Sequence, residues 1–284
     1  QRSFADLTLV ETWLLTRLDE TVHAVDEALA KYRVSEAAQI VYDFVWRDFC
    51  DWYLELAKPA HGEAMDAETL AFSVEVFDQI LRLLHPFMPF LTEELWWKLR
   101  PREAGDALIA AAWPTADDLH TDVEEEALFG TVQDLVQAVR QVRAQYNVPP
   151  SKAIAARIRV GGEQPVETVT ALESARPYLE RLAGLGELQI GADLVKPQAS
   201  AAVVVDRHEV YVPLAGMIDL DVERERLQKE IEAKRQFLGS VERKLRNEAF
   251  TSRAPEEVVA KERQKAADAK AEIHALESNL ADLD

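Results

Sequence analysis

Chemistry needs particular side chains at particular spacings, and few of the 284 residues offer them. The six histidines (His23, His61, His85, His120, His208 and His274) are scattered. They form no HExxH pair, and no CxxC motif or paired metal-ligand spacing accompanies them. The glycine loops that cradle phosphates, GxGxxG and GxxxxGK[ST], are absent from the sequence. The lone cysteine, Cys50, lies between Phe49 and Asp51 with no histidine nearby in sequence. A small packing residue explains it better than a nucleophile does. It cannot close an internal disulfide, which fits a reducing cytoplasm. Glu124, Glu125 and Glu126 suit the solvated first turn of a helix rather than a metal site. His85, before Pro86, suits a core or capping role rather than that of a base. The expectation is a chain without catalytic residues, metal or cofactor of its own.

Two groups of residues have the right chemistry for a nucleic acid. The first is an aromatic cluster over residues 42–53. Phe49 and Trp52 read as bundle core, whereas Tyr42, Trp46 and Tyr53 form a rim on which an unpaired base can stack. Arg33, Arg47 and Lys58 are candidate phosphate contacts beside it. The second group lies between residues 234 and 270. Ten basic residues there (Lys234, Arg235, Arg243, Lys244, Arg246, Arg253, Lys261, Arg263, Lys265 and Lys270) face six acidic ones, a local charge of +4 in a chain of −19. Arg235, Arg243, Lys244, Arg246, Arg253, Lys261 and Arg263 are candidate contacts to a polyanion, with Asn247 and Phe250 near the turn. The competing reading is an exposed helix surface laced with mixed ion pairs.

The −19 charge excludes indiscriminate binding to nucleic acid or acidic membranes, because the long-range field repels polyanions. No apolar run approaches the roughly 20 residues of a membrane span, and no secretory signal is visible. The chain starts at Gln1 without a methionine and is read as a piece of something longer.

The elements that must position these residues are mainly α. With only 10 glycines in the chain, long helices are expected. Residues 1–118 predict a helical bundle. Leu7, Val10, Leu14, Leu18, Val25 and Leu29 mark its first helix. Its second is capped near Ser35 and carries Val41, Val45, Phe49, Trp52 and Leu56 on one stripe. A third carries Leu70, Val74, Phe77, Leu81 and Leu84, and a short fourth is capped by Thr92. Residues 119–212 predict one long helix over 123–146, a strand from Ile154 to Val160, a helix over 165–183, and strands at Leu188–Ile190, Ala201–Val205 and Val210–Val212. This is a small α/β module. Residues 213–284 predict an antiparallel coiled-coil hairpin. Its first seam is Leu220, Leu227, Ile231, Leu238, Val241 and Leu245, interrupted by Arg224 and Lys234. Its second is Val259, Ala266, Ala269, Ile273, Leu276, Leu280 and Leu283, with Glu262 as the exception. Asp219 caps the first arm, and Pro255 opens the second.

These residues carry a family resemblance. The run Phe44-Val-Trp-Arg-Asp-Phe-Cys-Asp-Trp-Tyr-Leu-Glu-Leu-Ala-Lys-Pro59 resembles the anticodon-binding domain of valyl-tRNA synthetases. Leu84-His-Pro-Phe-Met-Pro-Phe-Leu-Thr-Glu-Glu-Leu-Trp96 resembles a segment shared by the class I valine, isoleucine and leucine enzymes. Tyr146-Asn-Val-Pro-Pro-Ser-Lys152 and Val212-Pro-Leu-Ala-Gly-Met-Ile-Asp219 are similar to valine-type connecting segments. Leu245-Arg-Asn-Glu-Ala-Phe250 and Ala254-Pro-Glu-Glu-Val-Val259 are similar to the turn of that family's C-terminal coiled coil. The resemblance implies a bundle that docks the anticodon stem-loop of valine tRNA and an arm that lies on the outer corner of the same tRNA. It implies an upstream catalytic domain in the same polypeptide that attaches valine using ATP. The HIGH and KMSKS signatures of that domain do not occur here, so these residues are not expected to activate valine, hydrolyse ATP or edit. DNA and membranes are not expected partners. A coiled-coil scaffold for another protein is the alternative, and an independent small-molecule enzyme is a weaker third.

Overall fold

The structure, a computed structural model, describes residues 7–59, 62–115, 123–247 and 255–283. Its packing divides the chain into two units, residues 1–133 and 134–284. It is mainly helical with one small sheet, as the sequence predicts.

In the first unit, α1 (Leu9–Ala30) begins with a capping box: Thr8 Oγ1 accepts from the Glu11 amide, and Glu11 accepts from the Thr8 amide at 2.9 Å. The second helix starts at Val34, not at a Ser35 cap. Arg33 occupies the N-cap position without a side-chain bond. It runs through α2 (Val34–Asp43), a π-helical stretch Phe44–Leu54, and the short α3 (Glu55–Ala57). α4 (Ala67–Leu84) is capped by Asp66, which accepts from the Thr69 amide at 2.8 Å. α5 (Pro89–Leu99) corrects the expected Thr92 cap. Pro89 takes the first turn, where a missing N–H is harmless. Thr92 lies inside the helix, its hydroxyl 2.8 Å from His85 Nδ1 and 3.0 Å from the Met88 carbonyl. The core gathers Trp13, Leu14, Leu18, Val25, Val41, Phe44, Phe49, Ile80 and Leu83, all buried. Trp13 packs on Phe129 of α6 (Val123–Gln145) at 4.5 Å between centroids.

A buried charge cluster ties α4 to the chain beyond α5. Asp78, with no exposed side-chain surface, accepts from Arg82 Nε at 3.0 Å and Arg100 Nη2 at 2.6 Å, and it also pairs with Arg102. The Arg102 guanidinium lies over the Trp96 ring, 3.1 Å from its centroid.

In the second unit, β1 (Ile154–Arg159), β2 (Leu185–Gly191), β3 (Ser200–Val205) and β4 (His208–Pro213) form a sheet of order β2-β1-β4-β3. β1 is parallel to β2 and antiparallel to β4, and β3–β4 is a hairpin turning at Asp206 and Arg207. The expected single helix over 165–183 is instead α7 (Pro165–Ser174) and α8 (Arg176–Ala183). Pro177 has no amide hydrogen with which to continue the ladder. Gly161 is required where it stands, because a Cβ there would come within 2.2 Å of the Arg207 carbonyl oxygen.

Arg143, near the end of α6 and 7% exposed, has no carboxylate partner among the described residues. Its guanidinium donates to four carbonyls: Ala183 at 3.0 Å, Pro149 at 3.0 Å, Lys152 at 2.8 Å and Gly184 at 2.6 Å.

His208 opens β4 and is buried, and burial lowers its pKa below the ordinary histidine value of 6.5. The unfolded chain then binds the extra proton more readily than the folded one. The imidazole's contribution to stability is whole above about pH 6.5 and is lost as pH falls through the lower folded value. The urea midpoint of the far-UV circular dichroism transition should drop from pH 7.5 to pH 5.5 by less in His208→Leu than in the wild type. An equal drop in both would show that His208 is not the group responsible.

The hairpin is α9 (Leu220–Arg246) and α10 (Glu256–Ala281). Asp219 caps α9, accepting from the Asp221 and Val222 amides at 3.1 and 3.2 Å. Each arm is about 40 Å long at 1.5 Å per residue. Leu227, Ile231 and Val241 are buried against Val259, Ala266, Ala269 and Ile273. Glu262 is also buried in this seam, held by Lys244 at 3.0 Å and Lys265 at 2.9 Å. Those two ammonium groups, Lys265 foremost, lower its pKa. Lys234–Glu272, Arg235–Glu277 and Lys270–Glu242 add ion pairs between the helices. At the base, Arg224 donates to the Leu283 carbonyl at 3.2 Å and Lys196 pairs with Asp282 at 2.6 Å.

Candidate nucleic-acid interface

The first unit carries an exposed apolar patch at one end. Ser35, Ala38, Gln39, Tyr42 and Val45 of the second helix line a groove with Leu84 at the end of α4 and Phe87 and Met88 of the α4–α5 turn, enclosing about 510 Å³. Around it Tyr42 is 56% exposed, Trp46 57%, Tyr32 91% and Phe90 92%. Patches of this kind on an otherwise charged surface mark binding sites. Tyr42 and Trp46, four residues apart, present parallel rings 6.4 Å between centroids and 2° apart in plane. Both rings are therefore exposed at the surface.

Tyr53 is a correction. It is 1% exposed, its hydroxyl lies 2.8 Å from Ser73 Oγ, and its ring packs on Phe49 at 5.6 Å. It belongs to the core. The cause is the π-helical stretch, in which i→i+5 bonds widen the turn and rotate each residue less than an α-helix does. Phe44, Phe49 and Tyr53 then share the buried face. The basic candidates do not gather either. Arg33 and Lys58 stand at opposite ends of one long helix, paired with Glu36 and Glu55. Arg47 is exposed one residue after Trp46 and has no ion-pair partner among the described residues.

Tyr32 was not singled out by sequence. It sits in the α1–α2 turn with φ +57°. Its amide donates to the Leu29 carbonyl at 2.9 Å, and the next amide, Arg33, donates to the Ala28 carbonyl at 2.8 Å. This is the six-to-one and five-to-two pattern that ends helices, with tyrosine where glycine or asparagine is usual. Phe87, Met88 and Phe90 also escaped notice because the run around them reads as packing. Pro86 and Pro89, which mark a turn, with Phe90 directly after them, were the available signal.

On the hairpin, three of the expected contacts, Arg235, Lys244 and Arg246, are already paired, as are most of the other cations around them. Lys234, Arg235, Lys244, Lys265 and Lys270 have carboxylates at 3.0 Å or less, and Arg246 has Glu242 at 3.9 Å. Among the described residues, Arg243, Lys261 and Arg263 are the exposed cations of this stretch with no ion pair. Lys261 and Arg263 flank the seam position of Glu262 on opposite sides at about 100° per residue. Asn247 is exposed at the end of α9. Phe250 and Arg253 lie outside the described residues. No group of three or more His, Cys, Asp and Glu is placed to hold a metal among the described residues. Nor is any described helix long and apolar enough to cross a membrane.

Comparison with known proteins finds two families, one in each part of the chain. A model described as the anticodon-binding domain of tRNA ligase matches residues 11–158. A model described as the valyl tRNA synthetase tRNA binding arm matches residues 219–284. The chain is 38% identical over 279 residues to a valine–tRNA ligase of Bacillus subtilis, covering 97% of this chain and 31% of that one. It is 39% identical over 280 residues to that of Syntrophotalea carbinolica, covering 98% and 31%, and 40% identical over 279 residues to that of Geobacillus kaustophilus, covering 97% and 31%. It therefore spans about a third of the length of the relatives it matches.

Proposed function

We propose, for a chain that belongs to the anticodon-binding family of tRNA ligases in its valyl-tRNA synthetase form, that it grips valine tRNA at two places. The bundle docks the anticodon stem-loop, and the hairpin lies on the outer corner of the same RNA. The ATP-dependent attachment of valine belongs to a catalytic body in the same polypeptide, outside these residues. One observation carries this reading: the two tRNA-related family models coincide with the exposed aromatic patch and the hairpin.

The charge of −19 requires that attraction be local. On the hairpin it falls to Arg243, Lys261 and Arg263, because the other described cations are engaged within the arm. Lys244 is a poor test residue, since removing it strips Glu262 of a partner in the seam. Arg243→Glu, Lys261→Glu and Arg263→Glu together should weaken valine tRNA binding at least about tenfold near 0.1 M salt. They should also lower the salt slope by roughly 3, with helicity unchanged. Fluorescence anisotropy with the full chain measures both. Unchanged affinity would favour an arm that docks protein, and equal binding to an unrelated hairpin RNA would sink the tRNA assignment.

A further inference from the structure

Tyr32 is the residue whose placement packing does not explain. It follows the last turn of α1 in the left-handed region, φ +57°. A bulky side chain is a steric outlier there, and glycine or asparagine normally takes the position. The ring recovers nothing in return within the unit, since 91% of the residue is exposed and no hydrogen bond involves its hydroxyl among the described residues. A free aromatic face held proud of the surface at a conformational cost is poor stability design and good ligand design. Three residues on, Ser35 begins the lining of the groove that Tyr42 and Met88 share. Lys31 and Arg33 are the chain neighbours of Tyr32, both at the surface and each in an exposed ion pair that a phosphate can displace.

We propose that Tyr32 is a stacking platform for one unpaired base of the RNA loop that docks on this end of the bundle, with Lys31 and Arg33 beside the adjoining phosphates. The inference rests on the proposed anticodon docking and adds a residue to it. Stacking uses the π-face of the ring, so it needs neither the hydroxyl nor a particular base. It also gives strain and affinity opposite signs at a single position, which makes it testable without confusion from misfolding.

The probe is a fluorescein-labelled hairpin RNA carrying the valine tRNA anticodon stem-loop, titrated with the full chain at low salt. Tyr32→Asn accepts the left-handed backbone but has no ring to stack. It should raise the tryptophan-monitored melting temperature by about 3 °C while weakening the hairpin about tenfold. Tyr32→Trp should bind as the wild type does. Tyr32→Asn binding the hairpin like the wild type would overturn the stacking role and leave anticodon docking standing, because the wild type would still bind. A wild type that binds the hairpin no better than one with an abasic loop would overturn both.

Discussion

Replacing Asp78 with asparagine should lower the stability of the first unit by about 3–5 kcal/mol. The carboxylate is fully buried and is the shared acceptor of Arg82, Arg100 and Arg102. Asparagine keeps the shape but not the charge, so three guanidinium groups would face one another without the carboxylate that they share, the Arg102 one almost fully buried. Arg102 has only 8% of its side chain exposed and cannot swing out without losing its place over Trp96. Trp96 is packed in turn with Leu81 and Leu108, and its indole N–H donates to the Asp106 carbonyl at 2.7 Å. The damage should therefore spread from α4 to α5 and the segment after it. A domain is commonly stable by 5–15 kcal/mol, so a loss of this size is a large share of the total. All six tryptophans lie in residues 13–113, so indole fluorescence during urea unfolding follows this unit alone. A midpoint within about 1 kcal/mol of the wild type would show that the arginines find other partners.

Arg143→Met should cost the second unit about 3 kcal/mol. The four carbonyls that Arg143 satisfies come from the end of α8 and the loop after α6, so the side chain staples one to the other. Methionine fills much of the volume and supplies no donor. The Pro149 and Gly184 carbonyls keep a backbone partner each, Lys152 and Ile154, which limits the loss. Arg143→Lys should recover only part of it, because an ammonium group is a compact point rather than a fork. Gly184 is part of the same device. Its φ is +67°, and a Cβ there would stand 2.8 Å from Arg143 Nη2, so Gly184→Ala should be destabilising as well. Circular dichroism should register the Arg143 loss while the tryptophan transition stays in place. A shift of both together would mean that the two units do not unfold separately.

What sequence could disclose here followed from periodicity. The hairpin was legible because its seam repeats over many turns, and even Glu262, the exception in its second helix, was visible. Asp219 was legible because capping chemistry is local. Tyr53 was misplaced because a 3.6-residue wheel puts it beside Tyr42 and Trp46, and nothing in the composition announces i→i+5 bonding. Asp78 and its arginines were out of reach for another reason: Arg100 and Arg102 lie more than 20 residues away, and no local rule pairs them. The positive arm was read correctly as charge and incompletely as availability. A count of Lys and Arg does not show which of them Glu242, Glu262, Glu272 and Glu277 have already claimed.

Glu262 has a consequence for length. Sliding one helix of the hairpin along the other would leave its carboxylate facing apolar neighbours and would separate Lys244 from it. The two strands of the strut are thus pinned like the halves of a gauge, and the distance from base to tip is set to within a residue. Seven residues added to both helices at matching points would preserve that pin and move the tip outward by about 10 Å, so evolution can tune the span in whole steps without redesigning the contact.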